Sequence, residues 1–501
     1  MAETMQLISN GLGTLLAPQN LLLLVCGVAL GLVAGSIPGL SANNTTAMLL
    51  PVTLVFPVEG ALIFISSVYM ACQYGGSISA ILINTPGASG AIATTLDGFP
   101  LCQKGKAGYA LGLSLGASTF GGIVASIIVL LIMKPVSAFA LKFGTAELFL
   151  LALVGIGIII TISEKEPVKG GLVGSIGLLV AAMAAEPTYG RERLTFGFFE
   201  LYDGVPSIAT LCGFFAFSSM ISLVGKRMIS NVGDGGEAEV GVASILKGCR
   251  DAMRQPVNLI RSSLIGLGIG ILPSAGVNAA ALLAYSQAQT WSKHSEDFGN
   301  GASEGIVAPE AANNAVAAGA LVPAFSLGIP GSATTAVLLA ALSLQGVNPG
   351  PRVMQTHANQ IYAVFLAVLF ATVLMFLFGV GYTALAAKLA SVNMAYMVPG
   401  VMAICMIGTF ATRGLMFDSY LFLIFGVLGY IMKCNGYQYS PMTLGIIMGK
   451  MAESNFAISM NLSGGNFGIF FESVISWVIW AILLASMFYP MIKKHMAKKL
   501  A

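Results

Sequence analysis

Charge is what this sequence has least of. Of its 501 residues only 9% are Asp, Glu, Lys or Arg, against 56% that are hydrophobic. Soluble domains carry about 25% charged residues, so a water-covered surface on a chain of this size is excluded. No Lys or Arg precedes Lys104. A cleaved signal peptide wants a basic start, so the first apolar run, "NLLLLVCGVALGLVAGS", reads as a retained helix. The three histidines, His294, His357 and His495, sit in polar or tail segments. Neither HExxH nor GxxxxGK[ST] occurs, which argues against a zinc hydrolase or a nucleotide site in this chain. The seven cysteines form no CxxC pair and read as small core residues, without metal or redox roles. A TVGYG-type channel filter is also missing. The basic residues fall in short clusters between apolar runs, and the net charge is only +3. They act as topology signals, with no nucleic-acid footprint.

What is present in abundance is apolar sequence. Runs such as 107–133 and 362–379 are long enough to cross a bilayer, which takes about 20 residues. Further spans are expected at 144–163, 170–185, about 207–224 and 474–489. The chain is therefore an all-α polytopic membrane protein of roughly 10–12 spans. The loop 226–261, with Lys226, Arg227, Lys247, Arg250, Arg254 and Arg261, is the richest basic stretch. It belongs in the cytoplasm, and so does the tail "KKHMAKKLA". The polar run "GDGGEAEV" marks a seam. It divides the chain into a first membrane half, 1–231, a cytoplasmic linker, 232–257, and a second half, 258–501.

The halves repeat one another. "GLVAGSIPGLSANNTTAMLLP" aligns with "GLGIGILPSAGVNAAALLAY", so that Gly31, Gly35, Pro38 and Asn43 meet Gly266, Gly270, Pro273 and Asn278. Downstream, "GGSISAILINTPGASG" aligns with "GALVPAFSLGIPGSAT", so that Pro86-Gly87 meets Pro330-Gly331. Each half thus holds a segment broken at Pro, a second broken at Pro-Gly, then plain spans. An inverted copy keeps the lysine tail inside if 443–459 crosses the membrane. Two inverted repeats with Pro-Gly-broken helices or re-entrant hairpins are a recurrent plan of secondary transporters, with the site at the repeat interface.

Each Pro-Gly ends one half-helix and lets another begin. Such a break survives in lipid only where protein, water or solute satisfies the freed backbone groups. Ser89 follows Pro86-Gly87, with Asn84 before it. Ser332, Thr334 and Thr335 follow Pro330-Gly331. Hydroxyls beside free N–H groups at a helix start suit an anion, most naturally a carboxylate. Ser41, Asn43, Asn44 and Thr45 after the first break, and Asn278 in its copy, complete the expected substrate site. The competing reading is that small residues merely let helices pack closely. One break is explained equally well either way, and two related breaks favour binding.

Oxygen-bearing side chains at Asn44, Asn313, Asn314 and Glu310 suit a coupling Na⁺ or proton. For Glu310 the competing reading is a helix N-terminal charge after Pro309 at the membrane edge. Asp97 is expected in a turn near the inner surface. Lys450 and Glu453 are expected as a buried ion pair or as snorkelling interfacial residues.

In these same stretches the chain resembles the large membrane subunit of the tripartite tricarboxylate transporter family. The likeness is carried by "GLVAGSIPGLSANNTTAMLLP", "YGGSISAILINTPG", "ATTLDGFPLCQKGKAGYALG" and "EGIVAPEAANNAVAAGALVPAFSLGIPGSATTAVLLAAL". A weaker echo lies in "PMTLGIIMGKMAESNFAISMNLSGG", where "GKMAESN" departs from the Pro-containing turn of the family. The resemblance implies a bacterial inner-membrane, multi-pass transporter subunit, not an enzyme. It further implies a partner membrane subunit of about four helices and a periplasmic solute-binding protein that delivers citrate or another carboxylate. An ion gradient would drive symport by an elevator-like motion, with no bound cofactor beyond Na⁺ as coupling ion. The other reading kept open is a stand-alone secondary transporter or exporter of a small organic anion.

Overall fold

The computed structural model describes residues 2–37, 40–162, 167–186, 190–224, 240–272, 276–389 and 394–484. Pro38-Gly39, Pro273, the linker residues 232–239 and the lysine tail lie outside the described residues. The described residues are overwhelmingly helical, with one short ladder pairing Ala184–Ala185 with Glu192–Arg193. The all-α expectation holds.

The first group of helices is α1 (Ala2–Leu15), α2 (Pro18–Ser36), α3 (Ala42–Leu49), α4 (Val58–Ile83), α5 (Ile92–Gln103) and α6 (Ala107–Ala140). Pro18 opens α2, where a missing N–H costs nothing. At the end of α4, Asn84 adopts a left-handed conformation with φ 52°. A short 3₁₀ turn, Ser89–Ala91, then leads into α5. Next come α7 (Thr145–Ile162), α8 (Pro167–Ala181) and α9 (Ser207–Leu211), which continues through a π-helical segment, Cys212–Phe217, into α10 (Ser218–Leu223).

The order then recurs. The second group is α11 (Val242–Met253), α12 (Pro256–Ile271), α13 (Val277–Trp291), α14 (Ser303–Gly319) with α15 (Leu321–Leu327), α16 (Ala333–Leu344), the single turn α17 (Val353–Thr356) and α18 (Ala358–Leu389). After it follow α19 (Met394–Arg413), α20 (Met416–Cys434), α21 (Ser440–Leu462) and the apolar helix Val474–Leu484. Residues 242–253, read from the sequence as linker, form α11, which packs along α6. Its counterpart is α1, which packs along α18.

The packing repeats along with the order. Helix α2 lies on α4 as α12 lies on α14, and α4 meets α18 as α14 meets α6. Because these last contacts cross from one half to the other, the halves interlock. The closest approaches match residue for residue. A Cβ on Gly35 would stand 2.5 Å from the Cys72 carbonyl oxygen and 3.0 Å from Gly75 Cα. One on Gly270 would stand 2.7 Å from the Val316 carbonyl oxygen and 3.1 Å from Gly319 Cα. Only glycine admits such backbone contact, the usual way of holding helices together in a membrane.

Five described helices are long and apolar enough to span a bilayer singly, beginning at Pro18, Val58, Ala107, Ala358 and Met416. Several others, including Pro256–Ile271 and Ala333–Leu344, are apolar but shorter. The pieces that follow the breaks, α3, α5, α13 and α16, are each shorter than the required length. Helix α4 is enclosed along its whole apolar length, and α14 is buried from Gly305 to Gly319. These two equivalent helices touch at the centre of the interlocked halves. A second bundle forms where α21 packs on α7 and α8, and where α20 packs on the π segment.

Candidate functional site

Two pairs of broken segments meet. In the first, α3 packs against α16. Ser41 caps α3 by accepting the Asn44 N–H at 3.4 Å. Ser332 caps α16: its hydroxyl accepts the Thr335 N–H at 3.2 Å, and the Thr335 hydroxyl accepts the Ser332 N–H at 2.8 Å. This reciprocal box satisfies two otherwise orphaned donors. Thr334, which is not needed for capping, donates across the break to Asn43 Oδ1. The first turns of two helices from different halves are thereby joined.

In the second pair, α13 packs against α5 and the turn before it. Here a Cβ on Gly90 would strike Asn313 Oδ1 and stand 2.7 Å from Val277 Cγ1. Asn313 and Asn314 are fully buried on α14. Their amides donate to the Gln73 and Met70 carbonyls of α4, at 3.3 and 3.4 Å. Their Oδ1 atoms, like that of Asn278, are buried without a hydrogen-bond partner. Between the two pairs lies Tyr69, whose hydroxyl sits beside Ser332 and Gln73 and is likewise unpaired. A line of polar groups thus runs from one tip pair to the other through α4 and α14.

The remaining expected residues divide. Gly87 is buried, and its N–H bonds the Gly76 carbonyl at 3.1 Å beside Pro86. Pro330 and Gly331 are buried, Gly331 against Ala320. Thr45 receives a contact from Cys72 Sγ at 3.8 Å, and the Asn44 amide donates to Ser219 of α10 at 2.8 Å. Asn84 and Ser89 are exposed and lie outside the polar line.

Glu310 is not a charge in the first turn of its helix. It lies midway along α14, fully buried. It accepts Ser77 of α4 at 2.6 Å, Ser118 of α6 at 2.8 Å, and Thr94 in the first turn of α5. Asp97 is also fully buried. It accepts Tyr285 at 2.9 Å and the N–H groups of Gly299, Gly301 and Ala302 at 2.8–2.9 Å. It therefore holds the entry to α14 in place. Sequence reasoning passed over Ser77, Ser118 and the four bonds of Asp97, because nothing in a run of small and apolar residues tells which serine faces a carboxylate. Lys450 and Glu453 do not pair: Lys450 donates to the Val205 carbonyl at 3.1 Å, and Glu453 meets Arg193 at 2.5 Å. The Gly112-x-Ser114-x-Gly116 spacing falls inside unbroken α6, where both glycines admit α11. It is not the strand-to-helix elbow of a hydrolase.

Comparison with known proteins bears on this geometry. The family model described as the tripartite tricarboxylate transporter TctA family matches residues 21–444. An Agrobacterium vitis protein described as "Uncharacterized 52.8 kDa protein in TAR-I ttuC' 3'region" is 32% identical over 501 residues, covering 99% of this chain and 98% of that one. A second from the same organism, "Uncharacterized protein in TAR-II ttuC' 3'region", is 29% identical over 208 residues, covering 42% of this chain and 86% of that one. No solved structure matches.

Proposed function

The chain belongs to the tripartite tricarboxylate transporter TctA family, and from that premise we propose that it imports a carboxylate, driven by an ion gradient. As a multi-pass membrane component of a tripartite system, it works with partner subunits. We assign these as a small four-helix membrane protein and a periplasmic solute-binding protein, in a bacterial inner membrane. The substrate is a tricarboxylate or dicarboxylate such as citrate.

The observation that carries this reading is the join of Thr334 to Asn43. It brings two capped helix starts together at one point between the halves. Helix N-termini present N–H groups and a positive dipole end, which suit the carboxylate groups of such a substrate. The orphaned Asn313 and Asn314 oxygens supply a reason for a coupling cation. Each buried, unpaired polar group costs about 1–3 kcal/mol, and a Na⁺ ligated by those oxygens removes that cost. Elevator-like exchange of the interlocked halves against the second bundle completes the cycle.

The test is uptake of radiolabelled citrate by proteoliposomes holding this chain, the small subunit and the binding protein. Uptake that needs a Na⁺ gradient and all three components supports the reading. Uptake by this chain alone favours a stand-alone transporter instead.

A further inference from the structure

Glu310 gathers hydroxyls from three other helices onto one carboxyl group. Its Oε1 accepts Ser77 and Thr94, and its Oε2 accepts Ser118. Ser114, one turn before Ser118, is fully buried, points at the same carboxyl group and has no hydrogen bond of good geometry. None of the ion pairs among the described residues involves Glu310.

The surrounding titratable groups are engaged elsewhere. Tyr74 of α4 shares a 2.7 Å hydrogen bond with Thr383. Asp97 of α5 is bonded to Tyr285 of α13. Tyr109 of α6 bonds Asp251, and Arg261 of α12 bonds Asn258 and lies over the Trp291 ring. Among the described residues, the carboxyl group is therefore answered by hydroxyl dipoles.

Hydroxyls differ from cationic partners in one decisive respect: each both donates and accepts. Around an ionised carboxylate, Ser77, Thr94 and Ser118 donate, while Ser114 stands unpaired beside them. When the carboxylate takes up a proton, the new O–H needs an acceptor, and any one of these hydroxyls supplies it by rotating. The cluster serves both forms without moving a helix. Ionisable groups enclosed within membrane proteins commonly mark proton relays.

From this cluster we infer that Glu310 is a proton-carrying site linked to the Pro86-Gly87 break. The proton enters from the outer aqueous side onto a carboxylate oxygen and leaves toward the inner side, returning the carboxylate. The link runs through two residues. Thr94 belongs to the first turn of α5, directly after the Pro86-Gly87 break. Asn313 follows Glu310 by one turn of α14 and lies against Gly90 in the same break. A change at the carboxyl group thus reaches the break from both sides. The inference deepens the transport reading on which it rests.

The first test needs no substrate. Infrared pH-difference spectra of the purified, lipid-embedded chain are compared with those of Glu310→Gln. The expected result is a carboxylic-acid C=O band that grows as pH falls in the native chain and is missing in the variant. Identical spectra overturn the inference. Where Glu310→Gln fails to fold, Ser118→Ala replaces it. Loss of one donor must move the pH at which the band appears, and an unmoved band overturns the inference. The second test imposes a pH gradient at equal Na⁺ on the three-component proteoliposomes with radiolabelled citrate. Stimulated uptake in the native protein that is lost in Glu310→Gln supports the link. Equal stimulation in both overturns it. Native protein that takes up no citrate under any gradient counts against carboxylate import and leaves the infrared result standing.

Discussion

Thr334 in the first turn of α16 donates its hydroxyl to Asn43 in the first turn of α3, across 291 positions of sequence. Ser332, two residues away, spends its hydroxyl on capping its own helix. Neighbouring hydroxyls in one motif therefore do different work, and substitution separates them.

Thr334→Val keeps the side-chain shape and deletes the bond. A neutral hydrogen bond contributes about 0.5–1.5 kcal/mol, so the melting temperature should fall slightly, and KM for citrate uptake should rise severalfold as the two helix starts lose their join. Ser332→Ala removes an N-cap worth about 0.5–2 kcal/mol. It should lower the melting temperature of the purified chain more than it alters KM. Saturation curves and melting curves on both variants check the division.

Gly90→Ala probes the proposed sodium site. The added methyl group collides with Asn313 Oδ1 and Val277, so the amide must turn away. The Na⁺ concentration for half-maximal uptake should rise several times, while uptake at saturating Na⁺ is largely retained. An unchanged sodium dependence would remove Asn313 from the coupling site.

Gly35→Val and Gly270→Val are equivalent substitutions in the two repeats. Each places side-chain atoms against backbone, next to Gly75 and Gly319 respectively. Overpacking of this kind costs about 1–3 kcal/mol or more. Both variants should show a comparable loss of folded yield in fluorescence-detected size-exclusion runs. Tolerance at one position alone would show that the two contacts are not equivalent.

Asp97→Asn leaves an acceptor oxygen but removes the charge that four donors share. Hydrogen bonds to charged groups contribute about 1.5–3 kcal/mol each. Loosening of 298–302 should appear as faster proteolysis between α13 and α14, measured by limited digestion in detergent. Unchanged digestion would mean that other contacts hold the loop.

Particular residues show how far the sequence could be read. Pro86-Gly87 and Pro330-Gly331 announced helix breaks because proline lacks an N–H and glycine a side chain, while Pro399-Gly400 lies inside unbroken α19. Matching glycines in α2 and α12 announced the repeat for a similar reason: backbone contact tolerates nothing else. Glu310 could not be placed that way. A carboxylate after Pro309 is consistent with a helix start at a membrane edge or with the middle of a buried helix. The choice depends on what packs around it. Residues 242–253 misled in the opposite sense, because their charges look like a loop while one face of α11 fits against α6.

By itself the sequence determined membrane residence, helical class, the breaks and the repeat. Each follows from composition or from the backbone properties of single residues. Only the tertiary structure decided that Thr334 meets Asn43, that Ser77, Thr94 and Ser118 converge on Glu310, and that Lys450 and Glu453 part company. Those pairings join residues far apart in the chain. They depend on which helix faces lie inward, and in an almost uniformly apolar chain hydropathy does not distinguish one face from another.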